Sequence, residues 1–381
     1  MAILAATGVM GTLVARELAA QGIPLRLGAR SAEKLNALAA TLPPHSQVTL
    51  HVVDAQDVFA VRDFCQPTAV LLQCAGPYTD MGDVPIQAAL ATQTHVLDVT
   101  GEQPWVLQSH RRYDEMARQN GVAIGHAMGV EVVLADLAAT ELLRHAPQAT
   151  HLTLAHAVRD FASSRGSRLS ALRVTQQSSV AFIDGRHRPC PAGSQWRQVI
   201  LDPPFATRGA VSLPGVELWS IPQQHLQLRD VTSWLALPGP VRGDVSVARA
   251  LSLAARLHHR VHPWLPQRVL NQAIGLSQAT PEHTDPQAYF QIALEASREV
   301  SGQSHPLARL VLHAHGPYSL SARILVYCAV QLLRKGPAIG RGGVLAPGQV
   351  VDPRALWQHM VQEKWLRTTL HMHQVQGQND G

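Results

Sequence analysis

The stretch LAATGVMGTLVARELAAQGIPLRLGARS, residues Leu4–Ser31, decides the fold of this chain. An apolar run is followed by a glycine turn, an amphipathic segment over Met10–Gln21 and a second apolar run. This order is typical of a βαβ unit that binds a dinucleotide. The spacing Ala5-x-x-Gly8-x-x-Gly11 retains the glycine that approaches the pyrophosphate and the glycine that lets the helix pack on the strand.

Ala5 stands where such turns carry their first glycine. An alanine there costs little if its φ is negative, and on the order of 1 kcal/mol if its φ is positive. The helix N-terminus still offers backbone N–H groups and a positive dipole end to a phosphate. A plain glycine turn between a strand and a helix is the alternative interpretation. The predicted cofactor-binding residues of the turn are Ala5, Thr7, Gly8, Val9, Met10 and Gly11.

The second strand ends in Gly28-Ala29-Arg30-Ser31 and is followed by Lys34. NAD sites usually place an acid here for the ribose hydroxyls, whereas an Arg accommodates the 2′-phosphate of NADP. No acid is present, so Arg30, Ser31 and Lys34 predict a small anion site and hence NADP(H) as the cofactor. Asp54, after the third predicted strand, is also assigned to the cofactor site.

The first 126 residues alternate strand-like and helical segments, which predicts a parallel sheet covered on both faces. We therefore predict an α/β protein whose residues 1–128 form a doubly wound Rossmann domain, with its ligand at the carboxyl ends of the strands. The predicted strands are Ala2–Ala5, Leu25–Gly28, Val48–Val53, Ala69–Cys74, His95–Val99 and Val122–Gly125. The predicted helices are Met10–Gln21, Ala32–Ala40, Gln56–Phe64, Pro85–Ala91 and Pro104–Gln119.

A length of 381 residues indicates about two domains. Residues 129–350 are predicted to form a second α+β domain on an antiparallel sheet, which caps the substrate site. A helix is expected over Ser167–Phe182 and a loop over Gly336–Pro347. Residues 351–381 should add a C-terminal helix, a strand and a polar tail that pack back on the body.

Composition narrows the class of protein. The net charge is 32 − 27 = +5, and the basic residues are not interleaved with aromatic ones, so a nucleic-acid partner is not expected. Four cysteines without a CxxC pair argue against a zinc site and against disulfides. With no signal-like N-terminus and no apolar run of ~18 residues, we expect a cytoplasmic protein.

Two strand-end loops carry candidate chemistry. In CAGPY, Ala75, Gly76 and Pro77 are assigned to the cofactor, and Tyr78 is the first choice for a proton donor. A packed loop aromatic is the alternative for Tyr78. In the second loop, DVTGE, Asp98 and Gly101 are assigned to the substrate, and Glu102 to acid–base catalysis unless it only caps a helix.

Further candidates lie where the chain leaves the first domain. Glu131 is a third candidate acid or base, because a segment that crosses between domains often borders the cleft. Arg165 is assigned to the substrate, because an amino-acid carboxylate would recruit an Arg. The histidine pairs His313/His315 and His371/His373 have no acidic third ligand nearby in sequence, so no metal is expected.

The motifs AATGVMG, QCAGPYTDMGD, VLDVTGEQPWV and ADLAA resemble those of the saccharopine dehydrogenase-like, NADP-binding oxidoreductase family. Within that family, the chain is similar to the trans-acting enoyl reductases of bacterial complex-lipid synthesis. This resemblance implies a Rossmann domain, bound NADP(H) and a second α+β domain over the nicotinamide. The sequence departs from the family pattern at Ala5, at Val9-Met10, and at Glu131, which stands in for an Asp.

These observations predict an NADP(H)-dependent oxidoreductase that transfers hydride to a C=C (enoyl), C=O or C=N bond. The substrate is a small molecule or a lipid- or polyketide-type acyl group, for which a carrier-bound form is one option, and a homodimer is compatible with the sequence. A saccharopine-like imine reductase is one alternative. The other is a peripheral lipid-surface protein with a vestigial cofactor fold, for which the basic amphipathic stretch Leu251–Gly275 is the motif.

Overall fold

The computed structural model describes residues 1–237, 244–261 and 285–373. Seven parallel strands form the first sheet, in the order β15-β6-β5-β4-β1-β2-β3. The order reverses between neighbouring strands β1 and β4, which opens a crevice at their carboxyl ends. The strands are β1 (Ala2–Leu4), β2 (Leu25–Ala29), β3 (Val48–Val52), β4 (Val70–Gln73), β5 (His95–Asp98), β6 (Ala123–Gly125) and β15 (Gly343–Leu345).

Six helices connect the first six strands and lead to β6. The first buries Val14, Ala15 and Leu18 on one face, as its apolar spacing predicts. Ser31 and Asp57 cap the second and third helices by accepting backbone N–H groups. The helices are α1 (Val9–Ala20), α2 (Ala32–Ala40), α3 (Val58–Cys65), α4 (Tyr78–Met81), α5 (Asp83–Thr92) and α6 (Gln103–Gln119).

The second sheet is mixed and mostly antiparallel, in the order β10-β11-β12-β7-β13-β14-β16, with β8 beside β12 and β9 beside β8. Only the β7–β12 pair is parallel among these strands. The predicted fold class is therefore confirmed. The strands are β7 (His151–Arg159), β8 (Val180–Ile183), β9 (Arg186–Pro189), β10 (Trp196–Val199), β11 (Arg208–Ser212), β12 (Asp230–Ala236), β13 (Tyr289–Val300), β14 (Gln303–His315) and β16 (Arg367–Met372).

Among the described residues of this half, there are seven further helices and a 3-10 turn at Asp285–Gln287. One of them, α7, packs on the second sheet, and α11 packs against both α7 and α1. A single buried apolar cluster consequently runs from the first helix into the second sheet. The helices are α7 (Val130–His145), α8 (Arg165–Gln176), α9 (Glu217–Gln224), α10 (Asp244–Val261), α11 (Pro317–Lys335), α12 (Pro347–Val350) and α13 (Pro353–Gln362).

Two local predictions are wrong. The helix expected over Ser167–Phe182 ends at Gln176, because the Gln103 side chain binds the backbone N–H and C=O of Val180 and holds the next residues as β8. The loop expected over Gly336–Pro347 contains β15, which pairs with β6 although it lies in the range assigned to the second domain. A Cβ on Gly342 would lie 2.4 Å from the Ala117 carbonyl oxygen, so only glycine fits before this strand.

The turn between β1 and α1 is held by two close contacts. Ala5 has φ +60°, the left-handed conformation that favours glycine. Its carbonyl oxygen accepts a hydrogen bond from the Gly8 N–H at 3.1 Å. The same oxygen would lie 2.4 Å from a Cβ on Gly11. The alanine therefore costs on the order of 1 kcal/mol, and Gly11 is required for α1 to pack on β1.

Buried Asp136 ties α7 to α9 and α12. Its Oδ1 accepts from Ser220 Oγ at 2.5 Å, and its Oδ2 accepts from Gln224 Nε2 at 2.7 Å. Burial raises the pKa of Asp136 to about 7, against the opposing effect of these hydrogen bonds and of one from the Gly348 backbone. Asp136 therefore has a structural role in the interior of the molecule and does not line a cleft.

We predict that Ala5→Gly raises the free energy of unfolding by about 0.5–1 kcal/mol, because relief of the left-handed strain exceeds the entropy that a glycine adds to the unfolded chain. Urea denaturation measures it. Ala37→Gly, at an exposed position within α2, is the control and should lower the free energy by about 1 kcal/mol. Equal losses in both variants would contradict the prediction.

We predict that Asp136→Asn flattens the pH dependence of stability. The pKa of Asp136 is about 7 in the folded protein and 3.8 in the unfolded chain. The contribution of Asp136 to the free energy of unfolding is therefore complete below pH ~4 and is lost as the pH rises through 7. Between pH ~5 and ~7.5 the natural protein should lose on the order of 2 kcal/mol more than the variant. Asp63→Asn, on the exposed face of α3, should keep the natural pH dependence. Parallel curves for Asp136→Asn and the natural protein would refute the assignment.

Candidate functional site

The N-terminus of α1 is open toward the crevice. Gly8 is exposed, and no side chain caps the helix. Val9 and Met10 of the first turn are half-buried, and the first N–H groups of a helix have no acceptor within the helix. An uncapped N-terminus beside an exposed glycine fits a pyrophosphate.

A shallow groove of about 250 Å³ runs from this turn between α1 and α2. Its basic side chains are Arg16 and Lys34, both exposed, and Arg30 is exposed at the end of β2. Among the described residues, none of the three forms an ion pair. Two basic residues that line the groove, with Arg30 exposed at the end of β2, fit the 2′-phosphate of NADP. The groove is lined by Thr7, Thr12, Arg16, Lys34, Ala37, Leu38 and Thr41.

Sequence reasoning missed Arg16, although its i, i+4 spacing from Thr12 along α1 places both on one helix face. Ser31 was predicted as an anion ligand, and its Oγ already accepts from the Lys34 N–H at 3.3 Å as the cap of α2. Its hydroxyl proton remains available to a phosphate. Asp54 is exposed after β3 and accepts from the Gln56 N–H, so its role toward the cofactor stays a prediction.

The loop after β4 is built around buried Gln73. Its side chain accepts from the Ala75 N–H at 2.9 Å and donates to the Met81 carbonyl at 3.2 Å. Gly76 is exposed and Pro77 half-buried, so this turn reaches the crevice, whereas Ala75 is buried. The backbone near Gly76 can therefore approach a cofactor.

The contacts of Tyr78 favour a structural role. Its side chain is 6% exposed, and its hydroxyl donates to the Gln73 carbonyl at 3.2 Å. Burial, helped by the nearby Asp98, raises its pKa well above 10. A phenol with this partner and this pKa is a poor proton donor to a substrate. From the sequence, an aromatic residue after Gly-Pro gives no indication of whether its side chain is buried or exposed.

Glu102 is also structural, because both carboxylate oxygens are fully bonded. Oε1 accepts from the Tyr78 N–H at 2.8 Å and from Ser170 Oγ at 2.6 Å. Oε2 accepts from the Thr79 N–H at 2.9 Å and from Thr79 Oγ1 at 2.6 Å. This buried carboxylate caps α4 and holds α8 over the strand ends. It therefore joins the two halves at the crevice and has no oxygen left for acid–base work.

Asp98 forms a buried array with His126 and Ser109. Asp98 Oδ2 lies 2.5 Å from His126 Nδ1, and His126 Nε2 lies 2.8 Å from Ser109 Oγ. The order resembles a hydrolase triad. All three residues are at most 2% exposed, so no substrate reaches them. Asp98 is predicted to bind the substrate, but in the structure its contacts orient the loops after β5 and β6.

The open part of the crevice lies beside Gly101 and Glu131. Both are exposed, and a Cβ on Gly101 would lie 3.9 Å from Glu131 Oε2. Burial raises the pKa of Glu131; the charge of His156 on β7 lowers that pKa, and the charge of Glu217 on α9 raises it. His156 Nε2 lies 3.5 Å from Glu217 Oε1. Sequence reasoning found Glu131 and Gly101 but not these two partners.

Several features locate the second half against the crevice. Gln103, at the start of α6, donates to the carbonyl oxygens of Val180 and Gly215 at 2.9 and 2.8 Å. A Cβ on Gly215 would lie 2.1 Å from Glu217 Oε2, so glycine leaves the room that this carboxylate occupies. Arg173 of α8 pairs with Asp80 at 2.8 Å. By contrast, Arg165 is exposed at the start of α8, and its substrate role stays a prediction.

A larger groove, of about 520 Å³, lies along the outer side of α6. It is lined by Pro104, Leu107, Gln108, Arg111, Arg112, Gln177, Ser178 and Val180. None of these belongs to the turns after β1, β4 or β6. We therefore place the site at the exposed strand-end loops and not in the groove of larger volume.

Other motifs have separate explanations. Across residues 1–237, 244–261 and 285–373, no group of three His, Cys, Asp or Glu side chains could hold a metal ion. His313 Nδ1 lies 2.5 Å from the Tyr289 hydroxyl, so this histidine belongs to a sheet-face cluster. In the same ranges no helix is long and apolar enough to cross a membrane.

Residues 2–124 match the family model described as the saccharopine dehydrogenase NADP binding domain. The chain is 28% identical over 149 residues to a saccharopine dehydrogenase-like oxidoreductase of Arabidopsis thaliana, covering 36% of this chain and 33% of that protein. It is 24% identical over 214 residues to a lipid droplet localized protein of Caenorhabditis elegans, covering 54% and 48%. A Mycobacterium tuberculosis protein named as a candidate trans-acting enoyl reductase is 31% identical over 135 residues, covering 35% and 32%.

The chain thus spans a third to a half of the length of these curated relatives. Among solved structures, saccharopine dehydrogenase (L-Glu forming) from Saccharomyces cerevisiae superposes with a TM-score of 0.63 at 14% identity, covering 97% of this chain and 99% of that one. This likeness shows a shared fold over both halves. The N-terminal domain is a saccharopine dehydrogenase-type NADP-binding domain, and the predicted resemblance of the chain to the saccharopine dehydrogenase-like oxidoreductases is confirmed.

Proposed function

We propose that the protein is an NADP(H)-dependent oxidoreductase that reduces a C=C, C=O or C=N bond of a small-molecule or lipid- or polyketide-type substrate. The observation that carries the proposal is the open cleft where Gly8, Gly76, Gly101 and Glu131 are exposed at the strand ends. From the second half of the chain, Ser170 of α8 and the Gly215 carbonyl contact the strand-end residues Glu102 and Gln103. Hydride transfer requires a domain that positions the cofactor and a wall that holds the substrate against it.

The cofactor would lie across the crevice between β1 and β4. Backbone N–H groups at Gly8 would bind the pyrophosphate, and Arg30, Lys34 and Arg16 would bind the 2′-phosphate. When bound, NADPH supplies a hydride at C4 of its nicotinamide. The protein then has to hold the substrate against that carbon, exclude water and supply a proton.

An enoyl thioester is our first substrate class, and a saccharopine-like imine is the second. The Mycobacterium tuberculosis relative supports an enoyl substrate through its name and its similarity to this chain. An imine bearing carboxylates would call for arginines at the cleft, and Arg165 is exposed at the edge of α8. A cytoplasmic location and a homodimer stay predictions.

A lipid surface is a second candidate partner, favoured by one observation. Helix α10 exposes Val247, Leu251, Leu253 and Leu257, each at least 46% accessible, and carries Arg260 near its end. The Caenorhabditis elegans relative is named for its place on lipid droplets. Of the stretch Leu251–Gly275 that suggested this function, residues 262–275 lie outside the described residues.

Vesicle flotation separates this candidate from a purely soluble reductase. If α10 binds lipid, the protein should float with phosphatidylserine-containing vesicles, and the double change Leu253→Glu with Leu257→Glu should release it. Failure of the natural protein to float removes the lipid-surface function and leaves the oxidoreductase proposal intact.

We predict that Arg30→Ala weakens NADPH binding by about 10- to 100-fold and NADH binding far less, because a charge-assisted hydrogen bond is worth roughly 1.5–3 kcal/mol. Calorimetry with both cofactors measures it. Arg144→Ala, an exposed arginine on α7 paired with Glu141, should change neither affinity. Equal losses for NADPH and NADH would limit Arg30 to a role in the fold. If the natural protein binds neither cofactor, the oxidoreductase proposal fails.

A further inference from the structure

Helix α8 (Arg165–Gln176) lies at the mouth of the crevice. Its Ser170 Oγ donates to Glu102 Oε1 at 2.6 Å, at the end of the loop after β5. The same hydroxyl oxygen would lie 3.7 Å from a Cβ on Gly76, in the loop after β4. Gly76 is an exposed glycine whose backbone can approach a cofactor. A ligand that contacts Gly76 therefore also meets α8.

The packing of α8 is unusually weak for a helix in the middle of the chain. A helix of 12 residues needs tertiary packing of an apolar face, because so short a helix is marginal alone. No residue of α8 is buried. Leu169, Leu172 and Val174 are half-buried, and they belong to none of the apolar clusters formed by the described residues. Segments with few buried apolar contacts open most readily.

The chain is anchored on both sides of α8. Before the helix, the Ser164 N–H donates to the Tyr318 hydroxyl at 2.7 Å, and Ser167 Oγ in the first turn lies 2.8 Å from that hydroxyl. After the helix, the Gln103 side chain accepts from the Val180 N–H at 2.8 Å and donates to the Val180 carbonyl at 2.9 Å. These anchors hold the two ends in place while the helix between them moves.

Between the anchors, two polar contacts fasten α8 to the strand-end loops, and we call them the latch. One is the hydrogen bond from Ser170 to Glu102. The other joins Arg173 Nη2 to Asp80 Oδ2 at 2.8 Å, with Arg173 Nε 3.1 Å from the same oxygen. The Asp80 side chain is 38% exposed, so water competes for this ion pair. The latch therefore breaks more easily than a packed apolar face.

We propose that α8 is a lid on the crevice, which opens when the latch breaks, admits the dinucleotide past Gly76, and closes over it again. This inference rests on the proposed function for the identity of the ligand. Ser170 and Arg173 are positioning residues, because they act by holding the lid. A closed lid keeps water away from the nicotinamide, which hydride transfer requires.

The lid also accounts for the form of the latch. Glu102 is buried and held by Tyr78 and Thr79, so its carboxylate is a fixed docking point that stays in place when Ser170 leaves. Asp80 belongs to the short helix α4, which Glu102 caps. Both latch acceptors are thus parts of the first domain, and both latch donors are parts of α8. Opening separates one side from the other without disturbing the core of either.

Hydrogen–deuterium exchange of the full chain tests the opening without a ligand. The amides of α8 should exchange about 100-fold or more faster than those of α7, most of whose residues are buried. The double change Ser170→Ala with Arg173→Ala should speed α8 exchange by about tenfold or more again, because both latch contacts are lost. Ala171→Gln, at an exposed position of α8, should change it by about twofold at most.

Two results of this experiment overturn the lid: exchange of α8 as slow as that of α7, or exchange of α8 that the double change leaves unaltered. If the double variant does not fold, Arg173→Ala alone gives the same comparison. Arg173→Lys is its control, because it keeps a positive charge opposite Asp80 and should speed exchange less than Arg173→Ala.

Stopped-flow fluorescence with NADPH tests whether the lid controls access. The double variant should both bind and release NADPH about three- to tenfold faster, with a smaller change in Kd, because the latch closes α8 with and without the cofactor. Arg144→Ala, which removes an exposed ion pair on α7, should change neither rate. NADPH should also slow the exchange of α8 in the natural protein.

Unchanged NADPH rates in a variant with faster α8 exchange overturn the role of α8 in access, and the proposed function then stands. Exchange of α8 that NADPH does not slow overturns closure of the lid over the cofactor. If the natural protein does not bind NADPH, the proposed function fails. The ligand-free exchange measurement then still decides whether the latch holds α8 closed.

Discussion

The close approach of α1 to the end of β1 is the constraint on which the site depends. A side chain on Gly11 would overlap the Ala5 carbonyl oxygen, since its Cβ would lie only 2.4 Å away. With glycine there, α1 can begin at Val9 and pack against the Ala5–Ala6 backbone just beyond the end of β1. The strain at Ala5, with its φ of +60°, shows that this geometry is retained even without the usual first glycine.

Carboxylates build the frame around that turn. Glu102 uses both oxygens to hold the loop after β4 and the Ser170 side chain of α8. Asp98 orders the loops after β5 and β6 through His126 and the Ala127 N–H. These buried acids are hydrogen-bonded on both oxygens and hold the strand-end loops together, whereas Glu131 is exposed at the cleft. Under the proposed function, loops held in this way orient the substrate.

The sequence predicts the first sheet well because its signals are local. Alternating apolar runs and the glycine spacing locate β1 to β6 and five of the six helices between them within a few residues, whereas the one-turn helix α4 is not predicted. Strand β15 could not be found this way, because it is three residues long and its partner β6 is more than two hundred residues away in sequence. The helix predicted to continue through Val180 ends early for the same reason, since the side chain that stops it, Gln103, comes from the other half.

The candidate site was predicted in part. The rule that ligands lie at strand ends selects the correct loops, yet it does not say which side chains turn inward, so Tyr78, Asp98 and Glu102 were assigned to chemistry although they are buried. His156 and Glu217 give no local signal, because one reads as a strand residue and the other as the start of a short helix. The pairing of these two side chains, 3.5 Å apart, depends on the tertiary packing of the second half of the chain.

A crystal structure with NADP⁺ bound tests the central claim most directly, by the position of the nicotinamide relative to Glu131. We expect the pyrophosphate at Gly8, the 2′-phosphate at Arg30, and C4 of the nicotinamide within about 8 Å of the Glu131 carboxyl group, which a substrate and one water can span. A nicotinamide placed farther from Glu131, or a dinucleotide bound away from the α1 turn, would contradict the account.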